Sequence, residues 1–369
     1  MSDPQIIPLG DSDNPEQAIV PVIDALHQGH SVGVRIDCRY VLISLKTGLA
    51  SNNSQLSPLG VAVRDLDELI DIGGEIPVAV ERILSRCWPG PICIDLPVQS
   101  QYFQSLADNS SDEGTSRIRC WCPGDAVFHA ISNQLSQPAV LYSCIAGDGV
   151  ECRNTSWIND LSAVEGSSLA YVLDLSDTPY HANEAILRAS PEDWEIMETG
   201  PFSPSALQRQ ACKIILFVCT GNTCRSPMAE GIFRQMAAER LHCSVDELEA
   251  HGLLIGSAGL SASFGAPASR EAVQLTGKLG IDLTRHQSQP LTERLALSAD
   301  AIFAMTRQHL DAILAACPEL EGRAELLSTT GRDISDPFGQ GPDVYQACYN
   351  QLRSEIRNRL PQFLSEETT

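Results

Sequence analysis

Five consecutive apolar residues, Ile214 to Val218, form a run of the length and β-branched character of a buried strand. From Ser226-Pro227 onward the pattern changes to helical spacing, which continues from Met228 to Leu241. A short segment at Val245 to Leu248 precedes the apolar run Leu253-Leu254-Ile255. Ser269 to Leu279 is a second amphipathic helix, followed by Ile281-Asp282-Leu283. Leu291 to Leu297 leads to Ala301-Ile302-Phe303-Ala304-Met305, a second buried strand, and Gln308 to Ala316 and Val344 to Leu364 are helical. Strands that alternate with helices predict an α/β fold, here a doubly wound parallel sheet with its site at the carboxyl ends of the strands. Met305-Thr306 ends a strand and so faces the same cleft, although core packing accounts equally well for Met305.

These elements fill less than half of 369 residues, so a second domain precedes them. Pro, Gly and Ser concentrate between Glu198 and Ser205, which divides the chain into 1–200, a linker at 201–211, and 212–369. Asp108 to Thr115 reads as an exposed loop in the first part. Up to residue 210 there are 28 acidic and 11 basic residues, a net of −17, against 19 and 14, a net of −5, in the remainder, together the −22 of the whole chain. Such a field repels phosphate backbones and disfavours nucleic acid as a partner. Thirteen scattered cysteines, an odd number, fit a reducing cytoplasm. No basic-then-apolar leader opens the chain and no apolar run reaches membrane-spanning length, so the expectation is a soluble protein that avoids the membrane. A short linker implies contact between the domains.

The chemistry concentrates where the first strand meets its helix. Cys219 and Arg225 stand six positions apart on that turn, separated by Thr220, Gly221, Asn222, Thr223 and Cys224. Backbone N–H groups of a strand-to-helix loop point inward and, with the helix dipole, cradle a tetrahedral anion. Arg225 adds a planar two-pronged clamp. The same groups favour a thiolate at Cys219, a nucleophile able to form a cysteinyl-phosphate that water then hydrolyses. No metal or cofactor is required. Cys224 could form a disulfide with Cys219 after oxidation to a sulfenic acid, or could simply be a small buried apolar residue.

The string V-C-x-G-N-x-C-R-S-P resembles the signature of the low-molecular-weight protein tyrosine phosphatase family, and the resemblance runs from about Lys213 to Phe363. It implies that Asp336, in the loop Ser335-Asp336-Pro337-Phe338-Gly339, is the general acid and then the base toward water. It also implies that Asn222 adopts a left-handed conformation, supported by Ser226, Ser257 and His286. Substrate choice would rest on Thr223 and Phe338. Here C-T-G-N-T-C-R with D-P-F-G more closely resembles the bacterial protein arginine phosphatase branch. A hydroxyl-bearing β-branched residue at Thr223 would narrow the pocket toward a slim phosphoguanidinium, or would be a neutral variant in a tyrosine phosphatase. Either way the partner is a phosphorylated protein.

In the first half, Trp88-Pro89-Gly90-Pro91 before Ile92-Cys93-Ile94 resembles the YrdC-type threonylcarbamoyl-AMP synthase fold. Ser57 to Val63, Asp65 to Leu69, Arg117 to Cys120 and Leu187-Arg188 fit it as well. The catalytic signature departs: Arg35 to Leu42 replaces P-T-x-T-x-Y-G-L, Asn52 to Gln55 replaces a basic K-x-R, and Ser143-Cys144-Ile145 replaces S-x-N. A triphosphate needs cations or a metal to offset its charge. The expectation is therefore a YrdC-like α/β domain without synthase activity. The alternatives are a bifunctional protein that keeps the synthase reaction for tRNA modification, or a non-catalytic phosphoprotein-binding module.

Overall fold

A computed structural model describes residues 5–8, 19–36, 39–47, 56–106, 116–144, 169–174 and 183–364. Of the segments weighed above, the amino-terminal 1–4, Asp37-Cys38, Asn52 to Gln55, Asp108 to Thr115 and Ile145 lie outside the described residues. The chain divides into two compact units, Met1–Ala211 and Cys212–Thr369. Among the described residues no helix is long and apolar enough to cross a membrane.

The first unit is built on strands β1 (Gln5–Pro8), β2 (Ser31–Ile36), β3 (Arg39–Ser44), β4 (Leu56–Ala62), β5 (Ile92–Pro97), β6 (Arg117–Trp121), β7 (Ala139–Cys144), β8 (Leu169–Asp174), β9 (Ala185–Ala189) and β10 (Trp194–Thr199). They form one mixed sheet in the order β1-β8-β2-β3-β7-β4-β6-β5-β9-β10. Alternation splits β3, β5 and β7 between two cores. Leu42 of β3, Tyr142 of β7 and Ile94 of β5 face one core, which α2 (Leu66–Gly73) and α3 (Val78–Cys87) cover with Leu69, Ile83 and Leu84. Val41, Leu141 and Cys93 face the other, covered by α1 (Val20–His27) and α4 (Ala126–Ser132) through Leu26 and Phe128. Arg117 is buried, and its guanidinium is satisfied by Asp95 Oδ1 at 3.1 Å, Asp95 O at 2.8 Å and Ala189 O at 2.6 Å.

Residues 201–211, expected as a linker, contain a helix, α5 (Pro204–Ala211), whose Leu207 is fully buried in the first of these cores. Arg86 Nη1 donates to Gln210 O, which ties this helix to α3. The Pro-Gly-Ser content marks the turn before α5 rather than a free tether.

The second unit holds a four-stranded sheet of β11 (Lys213–Cys219), β12 (Leu253–Gly259), β13 (Ala301–Ala304) and β14 (Ala324–Leu326) in the order β12-β11-β13-β14. Every pairing is parallel, so the sheet is of the doubly wound kind, with β11 central. Ile215, Phe217 and Cys219 face α6 (Arg225–Leu241) and α10 (Pro342–Arg359), while Leu216 and Val218 face α8 (Glu293–Leu297) and α9 (Arg307–Ala316). A strand buried on both faces reads as an unbroken apolar run, which is why Ile214 to Val218 shows no alternation. The chain leaves β11 toward β12 and later returns to its other side at β13. Cys219 therefore ends the strand at which the winding reverses, where α/β sheets leave a crevice. Between α7 (Arg270–Lys278) and α8, Ile281 and Leu283 belong to no strand; they are buried against α6, where a β-carbon at Gly231 would lie 2.5 Å from Ile281.

Candidate active site

Between the end of β11 and Arg225, the first residue of α6, the chain turns around Asn222, which takes the left-handed conformation at φ 54° and is fully buried. Its side chain makes three hydrogen bonds. Nδ2 donates to Ser226 Oγ and to Ser257 Oγ, each at 2.9 Å, and Oδ1 accepts the Gln289 N–H at 2.9 Å. The carbonyl of Asn222 accepts from His286 Nε2 at 2.8 Å, which fixes the proton on that nitrogen. Ser257 in turn donates to Glu230 Oε2 at 2.6 Å. The Asn222 N–H points at Cys219 Sγ at 3.3 Å, and Ser226 Oγ lies 3.0 Å from the same sulfur. The sulfur thus accepts the Asn222 N–H and sits against the Ser226 hydroxyl, which itself accepts from Asn222 Nδ2 and reaches Ala258 O at 3.3 Å.

The loop is fastened further through its backbone. Leu260 N–H donates to Cys219 O, Ser261 N–H to Thr220 O, and Ser269 N–H to Thr223 O, at 3.0, 2.9 and 2.8 Å. Gly259 makes this approach feasible, because a β-carbon there would lie 2.6 Å from Thr220 O and 2.9 Å from Asn222 N. At Gly221 a β-carbon would meet only Thr223 Oγ1, at 3.7 Å, so packing within the chain does not demand glycine there.

Arg225 is buried, and its Nη2 donates to Asp336 Oδ2 at 2.6 Å while Nη1 reaches Ile334 O at 3.4 Å. Asp336 Oδ1 accepts the Phe338 N–H at 3.1 Å, and Gln340 Nε2 donates to Asp336 O at 2.8 Å. The carboxylate is half exposed and Phe338 is 74 % exposed, so both belong to the surface of the site.

Cys224 caps α6 and is buried, with Sγ 3.3 Å from Tyr345 Oη, which itself donates to Ser269 Oγ at 3.1 Å. Cys219 and Cys224 are both free thiols. Burial pushes the Cys348 thiol on α10 up to about 12, against the pull of Arg225, and so makes it inert. Thr223 is half-buried, its hydroxyl 3.7 Å from Cys224 Sγ. Thr220 is exposed, yet its Oγ1 lies 2.9 Å from Nε2 of His309, a buried residue on α9. Burial, together with the positive charge of Arg225, pushes this histidine below its ordinary value, and Asp333 and Asp336 act in the opposite sense.

Every residue singled out in the second half of the sequence thus lies in or beside one loop: Cys219 to Ser226, Ser257 and His286 form its frame, with Asp336 and Phe338 on the loop that faces Arg225. Gln289, Glu230, Gly259 and His309 join them without a spacing signal of their own. Ser-Ala-Gly at 257–259 was the only trace of the Gly259 approach. Among the described residues no group of three or more His, Cys, Asp or Glu side chains is placed to hold a metal ion.

Comparison with known proteins finds relatives of the second unit. The family described as low molecular weight phosphotyrosine protein phosphatase matches residues 214–368. The protein-arginine-phosphatase of Bacillus subtilis is 37 % identical over 147 residues, 39 % of this chain and 91 % of that protein. The low molecular weight protein-tyrosine-phosphatase Wzb of Salmonella typhimurium is 32 % identical over 145 residues, 39 % of this chain and 89 % of that protein. Among solved structures, the YwlE arginine phosphatase from Geobacillus stearothermophilus is 33 % identical, with 42 % of this chain and 95 % of that one covered and a TM-score of 0.37. With 91 % of a relative's length matched at 37 % identity, the chain belongs, through its second unit, to the low molecular weight phosphotyrosine protein phosphatase family.

Proposed function

We propose that this chain is a cysteine-dependent protein phosphatase that works through a cysteinyl-phosphate intermediate and takes phosphoarginine as its substrate. The observation that carries the chemistry is Cys219 Sγ held between the donating Asn222 N–H and the Ser226 hydroxyl in a loop that ends at Arg225. Arg225 takes the phosphoryl oxygens in place of Asp336, which leaves the carboxyl group free to turn to the leaving group. The sulfur attacks phosphorus in line, the P–N bond breaks, and Asp336 gives its proton to the departing guanidine nitrogen. Water then attacks the S–P bond with Asp336 as its base, releasing phosphate and the thiolate.

Support for arginine over tyrosine comes from Thr223 and Phe338 at the substrate-facing positions and from the name of the Bacillus subtilis relative. The test is turnover on matched phosphoarginine and phosphotyrosine peptides by the wild type, Cys219→Ser and Thr223→Ile. Preference for phosphoarginine that weakens in Thr223→Ile, with Cys219→Ser folded but inactive, is the expected result. A wild-type preference for phosphotyrosine would make this a tyrosine phosphatase of the same mechanism, and wild-type turnover by Cys219→Ser would remove the mechanism itself.

For the first unit we propose a YrdC-like fold that has lost the synthase reaction. Trp88 to Pro91 leads straight into the buried strand β5, as the family's W-P-G-P turn does, while Asn52 to Gln55 offers no cation to a triphosphate. ATP-dependent pyrophosphate release would revive the bifunctional reading. The thiolate mechanism and thirteen cysteines fit a cytoplasmic enzyme.

A further inference from the structure

The Asn222 network and the contacts of Leu260 and Ser261 all hold the phosphate loop from the β12 side. A separate tie reaches it from the opposite flank. Thr220, the residue after the nucleophile, meets His309 Nε2 at 2.9 Å, and Nδ1 of the same ring lies 2.9 Å from Thr306 Oγ1. Thr306 is the cap of α9 and accepts the backbone N–H of His309 at 3.2 Å. His309 is 7 % exposed and takes no part in the reaction steps above.

Burial and the Arg225 charge on α6 favour the neutral ring, while Asp333 and Asp336, on the loop before α10, oppose them. A neutral imidazole has one donor and one acceptor nitrogen. Thr306 already accepts one N–H, so its own proton is available to Nδ1, and Nε2–H then donates to Thr220 Oγ1. Anchored at both nitrogens and buried, the ring is a strut between the helix cap and the loop.

We propose that His309 is a positioning residue for the phosphate loop, acting through Thr220. The strut Thr306–His309–Thr220 holds the peptides on either side of Thr220, so that their N–H groups aim at the phosphoryl oxygens and the sulfur stays in line with phosphorus. The inference rests on the phosphatase reading. Its leverage is geometric, since a displacement of about 1 Å at a reacting centre lowers rates by roughly a hundred-fold.

The test compares Thr220→Val, Thr220→Ser, His309→Ala and the Thr220→Val/His309→Ala double variant in the full chain. Three quantities are read: kcat and KM on a phosphoarginine peptide, the rate of Cys219 alkylation by iodoacetamide at fixed pH followed by mass spectrometry, and hydrogen exchange of the β11 amides as a measure of folding. Thr220→Val should lower kcat by about ten-fold or more while KM moves less, and should slow Cys219 alkylation without altering β11 exchange. Thr220→Ser should restore both rates, and the double variant should be no slower than His309→Ala, because the two changes remove one interaction. Wild-type kcat and alkylation in Thr220→Val, or losses that multiply in the double variant, would overturn the strut. If the wild type turns over neither phosphoarginine nor phosphotyrosine, the phosphatase reading fails instead. Alkylation then still judges the tie: slowed in Thr220→Val it stands, unchanged it falls.

Discussion

Asn222→Ala removes the centre of the loop's frame. The Gln289 N–H loses its acceptor, and an unsatisfied buried donor costs about 1–3 kcal/mol. The hydroxyls of Ser226 and Ser257 lose a donor each but keep contacts with Ala258 O and Glu230, so they add at most about 1 kcal/mol together. A β-carbon held at φ 54° without a side-chain hydrogen bond adds about 1–2 kcal/mol. The expected loss is therefore ~2–6 kcal/mol, taken either from the stability of the second unit or, if the loop relaxes to another conformation, from the barrier to turnover. All four tryptophans, Trp88, Trp121, Trp157 and Trp194, belong to the first unit, so the readout is placed on the second unit's own amides. Native-state hydrogen exchange of the amides from Ile215 to Val218, measured with kcat, captures both forms of the loss. Asn222→Gly separates the terms: it forfeits the same hydrogen bonds but relieves the left-handed strain, so it should recover about 1–2 kcal/mol relative to alanine. Wild-type exchange together with wild-type kcat in Asn222→Ala would refute this account of the loop.

Gly259→Ala places a β-carbon 2.6 Å from Thr220 O and 2.9 Å from Asn222 N, both backbone atoms of the phosphate loop. The loop must shift, and kcat on a phosphoarginine peptide should fall by about a hundred-fold for a shift near 1 Å; an unchanged kcat would show that the close approach has no functional weight. The depressed titration of His309 carries a pH dependence with a definite sign. The unfolded chain, whose histidine titrates near 6.5, binds the proton more readily than the folded unit. Nothing is lost above that value, and stability falls as pH drops through 6.5 toward the lowered folded value. Protection of the β11 amides, with the pH dependence of intrinsic exchange divided out, should therefore fall more between pH 7 and pH 5 in wild type than in His309→Gln. An equal loss of protection would refute the linkage.

Much of the second unit was legible because its signals are local. Ile214 to Val218 is apolar without alternation because β11 is covered on both faces, and the helical spacing from Met228 follows the long helix α6. Cys219 and Arg225 lie on one turn, so their spacing in sequence is their spacing in space. Other elements had weaker signals. β14 is three residues long and alternates, a pattern indistinguishable from loop, and Ile281 and Leu283 owe their burial to a gap at Gly231 on α6. The Pro- and Ser-rich stretch before 211 gave the appearance of a tether, whereas Leu207 is drawn into the first unit's core. A single buried leucine on a short polar helix carries too little periodicity to announce that.

By itself, the sequence determined the strands β11 and β13 and the helices α6, α7, α9 and α10 of the second half, the loop that joins nucleophile to clamp, and the excess of negative charge in the first half. Each follows from neighbours within one or two turns of chain. The tertiary structure alone decided that the Gln289 N–H closes the Asn222 side chain, that Gly259 lets a second strand approach the loop, and that His309, 89 residues from Thr220, meets its hydroxyl. These contacts are made across a parallel sheet, whose crossovers bring distant segments to one edge. No local pattern in the chain records which of them will touch.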